Sequence, residues 1–170
     1  VFVSSTTYTG NFGGLAGGDG LCASLASAAG LGGTWMAWLS DSTGSPSTHF
    51  LTHSSNPYVL LDGTEIASSW TALTSGAALE HAIDLTEKMT PPPAGTNVCG
   101  SAAVVWSNTL ANGTFNSTIS CNSAACDCTD WTTISAGGAW GQYTNTDSLW
   151  ASACNGGDCG YVAALYCFEQ

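Results

Sequence analysis

The stretch GGLAGGDGLCASLASAAGLGGTWMAWLSDS, Gly13 to Ser42, decides the fold, because it joins a half-buried helix, its stop and a tryptophan-rich strand. Asp19 can cap a helix whose apolar positions Leu21, Cys22, Leu25, Ala26 and Ala29 recur at helical spacing, and Gly30 supplies the left-handed stop. The pairs Gly13-Gly14 and Gly17-Gly18 read as tight turns ahead of that helix. Beyond Gly32-Gly33, the run Thr34-Trp35-Met36-Ala37-Trp38-Leu39 has the aromatic content and length of a buried strand, ended by Ser40-Asp41-Ser42. Cys22, on the buried face of the helix, is then available to staple it to another element.

At the far end, Cys159-Gly-Tyr-Val-Ala-Ala-Leu-Tyr-Cys167-Phe-Glu places two cysteines around an apolar strand, and upstream lie Val104-Val105-Trp106 and Cys128-Thr-Asp-Trp131. Together with the opening unit, and in the same order, these segments resemble the endostatin-like domains, the globular C-terminal modules of certain collagens and their bacterial relatives. The resemblance runs from Phe2 to Glu169 and is looser from Ser45 to Val98. It implies an α+β, C-type-lectin-like fold: a mixed antiparallel sheet with one or two helices and long disulfide-pinned loops, as a single domain over residues 1–170. It implies little about function, because one fold hosts many sites.

At 170 residues the chain fits one domain and is long enough to bury a core. Charged residues are only 8% of it, twelve acids against the single Lys88, for a net charge of -11. One cation cannot neutralise a row of phosphates or sulfates, so nucleic acid, heparin-like polyanions and anionic membrane surfaces are excluded as partners. The heparin binding of animal endostatin depends on an arginine-rich surface that this chain lacks. The zinc site of some endostatins uses histidines at the extreme N-terminus, where this sequence reads Val1-Phe2-Val3-Ser4. Neither property carries over.

Eight cysteines, without a CxxC pair and with few histidines, favour disulfides over a zinc framework. A metal knuckle at Cys121, Cys126 and Cys128 is the minor alternative. The resemblance implies two nested bridges, Cys22 with Cys167 and Cys128 with Cys159. Cys99, Cys121, Cys126 and Cys154 remain for two more, expected as Cys99–Cys121 and Cys126–Cys154, although the sequence itself leaves their pairing open. Closing such loops stabilises by about 3 to 5 kcal/mol each in the chain-entropy model. Disulfides also point to an oxidising compartment, the cell exterior or cell surface. No signal peptide or long apolar run is present, and the start on the strand Val1-Phe2-Val3 is expected of a mature or excised product whose leader was a signal peptide, a pilin-like segment or a stalk.

Further along, Tyr58 to Leu61, Asp62-Gly63 and Thr64 to Ile66 read as a hairpin with a two-residue turn. A short helix is expected at Ser68 to Leu73, capped by Ser68 or Ser69 with Trp70 turned inward, and Pro91-Pro92-Pro93 as an extended surface loop. Asn108 to Asp158, rich in Ser, Thr, Asn, Gly and Cys, is the long-loop region where lectin-like folds carry binding surfaces. Within it, Asn112-Gly113-Thr114 and Asn116-Ser117-Thr118 match the N-glycosylation acceptor pattern, and the many hydroxyls offer O-linked sites.

Hard cations need several converging oxygens, and Asp41, Asp62, Asp84, Glu87, Asp127, Asp130, Asp147 and Asp158 are scattered along the chain. The Glu-Pro-Asn, Gln-Pro-Asp and Trp-Asn-Asp motifs of sugar-binding lectins are missing; Val105-Trp106-Ser107-Asn108 is a distant echo. No metal site is expected at the standard lectin position, and a structural calcium elsewhere stays open. His49, His53 and His81 read as surface or hydrogen-bonded structural histidines, and no GxSxG, HExxH or phosphate-binding glycine loop occurs, so no enzymatic activity and no cofactor are expected.

Two readings of function follow. One is a non-catalytic extracellular recognition or adhesion module that binds a glycan or protein through its long loops. Trp35, Trp38, Trp70, Trp106 and Trp131 sit in core segments, which leaves Trp140, Tyr143, Trp150 and Tyr161 as candidate contact residues. The other is a structural subunit that packs against copies of itself in a filament, sheath or surface layer. A mean hydropathy of +0.15 and low charge suit that role, while the net charge of -11 opposes it unless screened.

Overall fold

A computed structural model describes all residues, 1–170, as an α+β molecule with small antiparallel sheets, few helices and four disulfides. The decisive stretch forms helix α1 (Gly14–Ala28) and strand β2 (Trp35–Ala37), and β1 (Phe2–Val3) precedes them. The last strand, β8 (Tyr166–Glu169), lies between β1 and β2, with Phe2 opposite Cys167 and Met36 opposite Phe168. The two ends of the chain therefore close one sheet.

The middle supplies α2 (Pro46–His49), the hairpin β3 (Tyr58–Val59) and β4 (Glu65–Ala67), and α3 (Trp70–Leu73). A second three-stranded sheet follows, in the order β5 (Val104–Trp106), β6 (Gly137–Gln142), β7 (Cys154–Asp158). Ala164 links the two sheets: it accepts from the Trp106 N–H at 3.0 Å and donates to the Val104 carbonyl at 3.2 Å. Alternate residues then face two cores. Met36, Trp38, Val105, Tyr166 and Phe168 pack on one side, Trp35, Ala37, Trp106, Leu165 and Cys167 on the other. With both faces covered, these strands read as unbroken apolar runs.

Helix α1 starts five residues before Asp19. Its N-cap is Gly13 at φ +92°, and Gly17 and Gly18 lie inside the helix rather than in a turn. A Cβ on Gly18 would meet the Leu39 side chain at 2.6 Å and the Ala37 Cβ at 3.3 Å, so that glycine lets α1 lie directly on β2. Asp19 is therefore no cap. Its Oδ1 accepts from the Ala37 N–H at 2.8 Å, filling the open side of the edge strand β2, and its Oδ2 meets His49 Nε2 at 2.7 Å. Gly30, at φ +73°, is the stop: it donates to the Ser27 carbonyl at 3.0 Å while Leu31 donates to Ala26 at 2.9 Å, the paired closure of a Schellman end.

The hairpin turn is longer than two residues. Leu60 donates to the Thr64 carbonyl at 2.8 Å across Leu61-Asp62-Gly63, with Gly63 at φ +89°, which is the three-residue loop that ends on a left-handed residue. Ser69 caps α3, its side chain accepting from the Ala72 N–H at 3.2 Å, and Trp70 packs on Trp38, Phe50 and His53.

Two disulfides join Cys22 of α1 to Cys167 of β8 and Cys128 to Cys159. The other four cysteines pair differently from the expectation: Cys99 with Cys154 and Cys121 with Cys126. The reason is local. Cys121 and Ala124 exchange backbone hydrogen bonds at 2.9 and 3.1 Å around Asn122 and Ser123, both at positive φ, and this tight reversal brings Cys126 back to Cys121 with Cα atoms 5.2 Å apart. Cys99 is left facing β7.

Candidate recognition surface

Three of the four candidate contact aromatics are not at the surface, and Trp140 lies in strand β6 rather than in a long loop. Trp140 and Trp150 are fully buried, and Tyr143 is 8% exposed with its hydroxyl spent on the Pro92 and Pro93 carbonyls at 3.5 and 3.3 Å. Burial pushes the Tyr143 phenol above its usual range. The cause lies in the glycines opposite. A Cβ on Gly157 would meet the Trp140 ring at 2.5 Å, and Gly138 makes the same room for Trp106, so the two indoles stack at 4.8 Å over bare backbone. Trp150 is drawn in by a short turn, Ser148–Trp150, that Asp147 caps through the Leu149 N–H at 3.1 Å; its ring packs 4.8 Å from Trp38. The signal in the sequence is the glycine pair Gly137-Gly138 just ahead of Trp140, with a second pair, Gly156-Gly157, in the strand that follows.

Tyr161 is different. It keeps an exposed face and lines a hollow of about 270 Å³ with Gly95, Thr96, Asn97, Gly100, Ser101 and Ala102. Its ring leans edge-on against Trp140 at 6.4 Å, so a rigid indole backs it. The turn that presents it is tight: Gly160 donates to Asp158 Oδ1 at 2.6 Å and Tyr161 to the Asp158 carbonyl at 3.1 Å. Cys159, two residues before, is held by Cys128, and the facing loop is held by Cys99–Cys154.

That facing loop is braced from within. Asn97 donates to the Ser101 carbonyl and accepts from the Cys99 N–H, both at 2.6 Å. Thr96 and Val162 cross-bond at 2.7 and 3.0 Å. The Thr96 and Ser101 hydroxyls accept backbone N–H bonds and keep their own protons to donate. Sequence reasoning passed over residues 95–102 because a Gly/Ser/Asn loop carries no motif. The lining holds no carboxylate, imidazole or thiol.

A larger hollow of about 470 Å³ opens between Asp41, Ser42, Thr43, Gly44, Ser45, Thr48 and Phe115. One oxygen of its carboxylate is engaged: Asp41 Oδ1 accepts from the Thr43 N–H and hydroxyl at 2.7 and 2.6 Å. Behind it, burial pushes the Asp127 carboxyl above the usual carboxylate range, against the hydrogen bond from the Asp130 N–H; the Asp130 and Asp41 charges act in the same direction as burial. No three side chains among the His, Cys, Asp and Glu residues converge as a metal-binding group. His53 stacks on Trp70 at 4.0 Å and His49 is held by Asp19, so both imidazoles serve the fold.

The acceptor asparagines also part company. Asn112 is exposed, and Asn116 is 2% exposed with its amide nitrogen on Ser152 Oγ at 2.9 Å. No helix is long and apolar enough to cross a membrane. No known family model matches this chain, and no curated protein matches it either.

Proposed function

We propose that this chain is an extracellular recognition module of the endostatin-like, C-type-lectin-like kind, and that it binds an uncharged glycan at the Tyr161 hollow without making or breaking a bond. The observation that carries the reading is Tyr161 itself. It is the one candidate aromatic of the four with an open face, set beside hydroxyl donors on a loop that Cys99–Cys154 holds, while Cys128–Cys159 holds its own turn. An aromatic face takes the C–H side of a sugar ring, and fixed hydroxyl and backbone groups take its hydroxyls, at little cost in ordering the site. A net charge of -11 turns away acidic polymers and leaves neutral ones. The closure of the first and last strands and the Cys22–Cys167 staple support the lectin-like reading, and four disulfides fit an oxidising exterior.

The test is a glycan array followed by calorimetry on the best neutral ligand, with Tyr161→Ala and Trp140→Phe beside the wild type. Loss of roughly tenfold or more in affinity for Tyr161→Ala alone is expected of an aromatic anchor. Binding that survives Tyr161→Ala, or an empty array, overturns the site.

A second reading, self-assembly into a filament, sheath or surface layer, draws on the exposed apolar side chains Leu51, Met89, Val98 and Ile134 on a surface with one cation. Electron microscopy with light scattering on the unreduced protein separates the two: ordered polymers favour assembly, a monodisperse monomer favours recognition.

A further inference from the structure

The two acceptor motifs fold alike on the oxygen side of their amides. Asn112 Oδ1 accepts from the Thr114 N–H at 3.1 Å and the Thr114 hydroxyl at 2.7 Å; Asn116 Oδ1 accepts from Thr118 in the same way at 3.1 and 2.6 Å. They differ at nitrogen. Asn116 Nδ2 is buried on Ser152, whereas Asn112 stands exposed on a turn closed by two 2.9 Å bonds between Leu110 and Gly113–Thr114, and its Nδ2 has no protein partner. The turn is anchored from beneath: Gly113 sits against the Trp70 ring, and its carbonyl accepts from the Ser47 N–H at 2.9 Å. The site is rigid below and open above.

From this we infer that Asn112 is the acceptor of an N-linked glycan and that Asn116 is not. The transfer joins Asn112 Nδ2 to the anomeric carbon of an oligosaccharide carried on a lipid diphosphate. The anomeric C–O bond breaks, the diphosphate leaves with its electron pair, and Nδ2 gives up one proton to a carboxylate of the transferring enzyme. The Thr114 hydroxyl, bonded to Oδ1, draws electron density toward the oxygen and acidifies the proton that Nδ2 must lose. A sugar on Asn116 would have to occupy the space of Ser152, so a chain carrying it cannot reach this fold. The inference is independent of the Tyr161 hollow.

The test secretes the full chain from a yeast host that performs this transfer, then combines intact mass with peptide mapping. Release by a glycan-cleaving amidase in heavy-oxygen water marks the formerly glycosylated asparagine, and a parallel incubation in the same water without the amidase subtracts spontaneous deamidation at Asn112-Gly113. The expected result is a sugar mass on the folded protein, the mark at Asn112 only, loss of the sugar in Asn112→Gln and Thr114→Ala, and retention in Thr118→Ala, which removes only the second motif. A folded protein with the mark at Asn116, or with Asn112 bare, overturns it.

Discussion

Tyr161 and Trp140 touch, yet one faces solvent and the other is sealed, so their substitutions separate the proposed recognition site from the fold. Tyr161→Ala removes a partly exposed ring and is expected to change stability by about 0.5 to 1 kcal/mol while weakening the proposed glycan binding by roughly tenfold or more. Trp140→Ala empties a fully buried site and is expected to cost about 3 to 5 kcal/mol, read by urea unfolding of the unreduced proteins. Asp127 gives a prediction in pH. Its carboxyl is raised in the fold, so the folded protein holds that proton more readily than the unfolded chain. Its unfavourable contribution is absent below the unfolded value, grows as pH rises, and is complete above the folded value. Asp127→Asn keeps an oxygen for the Asp130 N–H, so the variant is expected to be more stable than wild type at neutral pH, with the gain fading as pH falls toward about 4. A variant less stable at neutral pH would contradict this.

Among the elements, α1 is held less by its own caps than by its close approach to β2. Gly18→Ala forces a methyl against Leu39 and is expected to cost about 1 to 3 kcal/mol, although alanine is the better helix former. Helix propensity alone predicts a gain, so the sign of the change decides between propensity and packing. The turn at Cys128–Trp131 is a second case: four consecutive non-glycine residues at φ +53° to +58°, each costing about 1 to 2 kcal/mol on its own. It persists because its neighbours over-determine it. Cys159 holds Cys128, the Trp131 ring stacks on Phe12 at 5.3 Å, and its indole donates to the Ser40 carbonyl at 3.1 Å. Thr129 is the exposed member of the turn. Thr129→Gly is therefore expected to stabilise by about 0.5 to 1 kcal/mol in thermal unfolding, the reverse of a glycine placed in a regular helix.

For the whole molecule the four disulfides are not equivalent. Their sequence separations are 145, 55, 31 and 5 residues for Cys22–Cys167, Cys99–Cys154, Cys128–Cys159 and Cys121–Cys126. Chain-entropy arithmetic gives about 5, 4, 4 and 2 kcal/mol in that order. Paired Cys→Ala variants are expected to follow this ranking in urea unfolding, with Cys22–Cys167 the most costly and Cys121–Cys126 the least. The longest bridge also ties α1 to the central strand β8, so its loss is expected to loosen the sheet that the two chain ends close.

The sequence by itself determined what short-range chemistry controls. Cys22 fell on the buried helical face, Gly30 became the left-handed stop, Ser69 the cap of α3, and the run from Trp35 a buried strand that ends at Ala37 with Trp38 and Leu39 still buried beyond it, because each depends on neighbours within a turn or a pleat. Tertiary structure decided the rest. Asp19 turned out to serve a strand edge distant in sequence, Trp140 closed over Gly157, Asn116 closed onto Ser152, and Cys126 turned back to Cys121. In the first three cases the deciding partner lies on another element, and in the fourth it is the backbone reversal at Asn122-Ser123. Residue type tells what a side chain can bond to; only the packed fold says which partner is within reach.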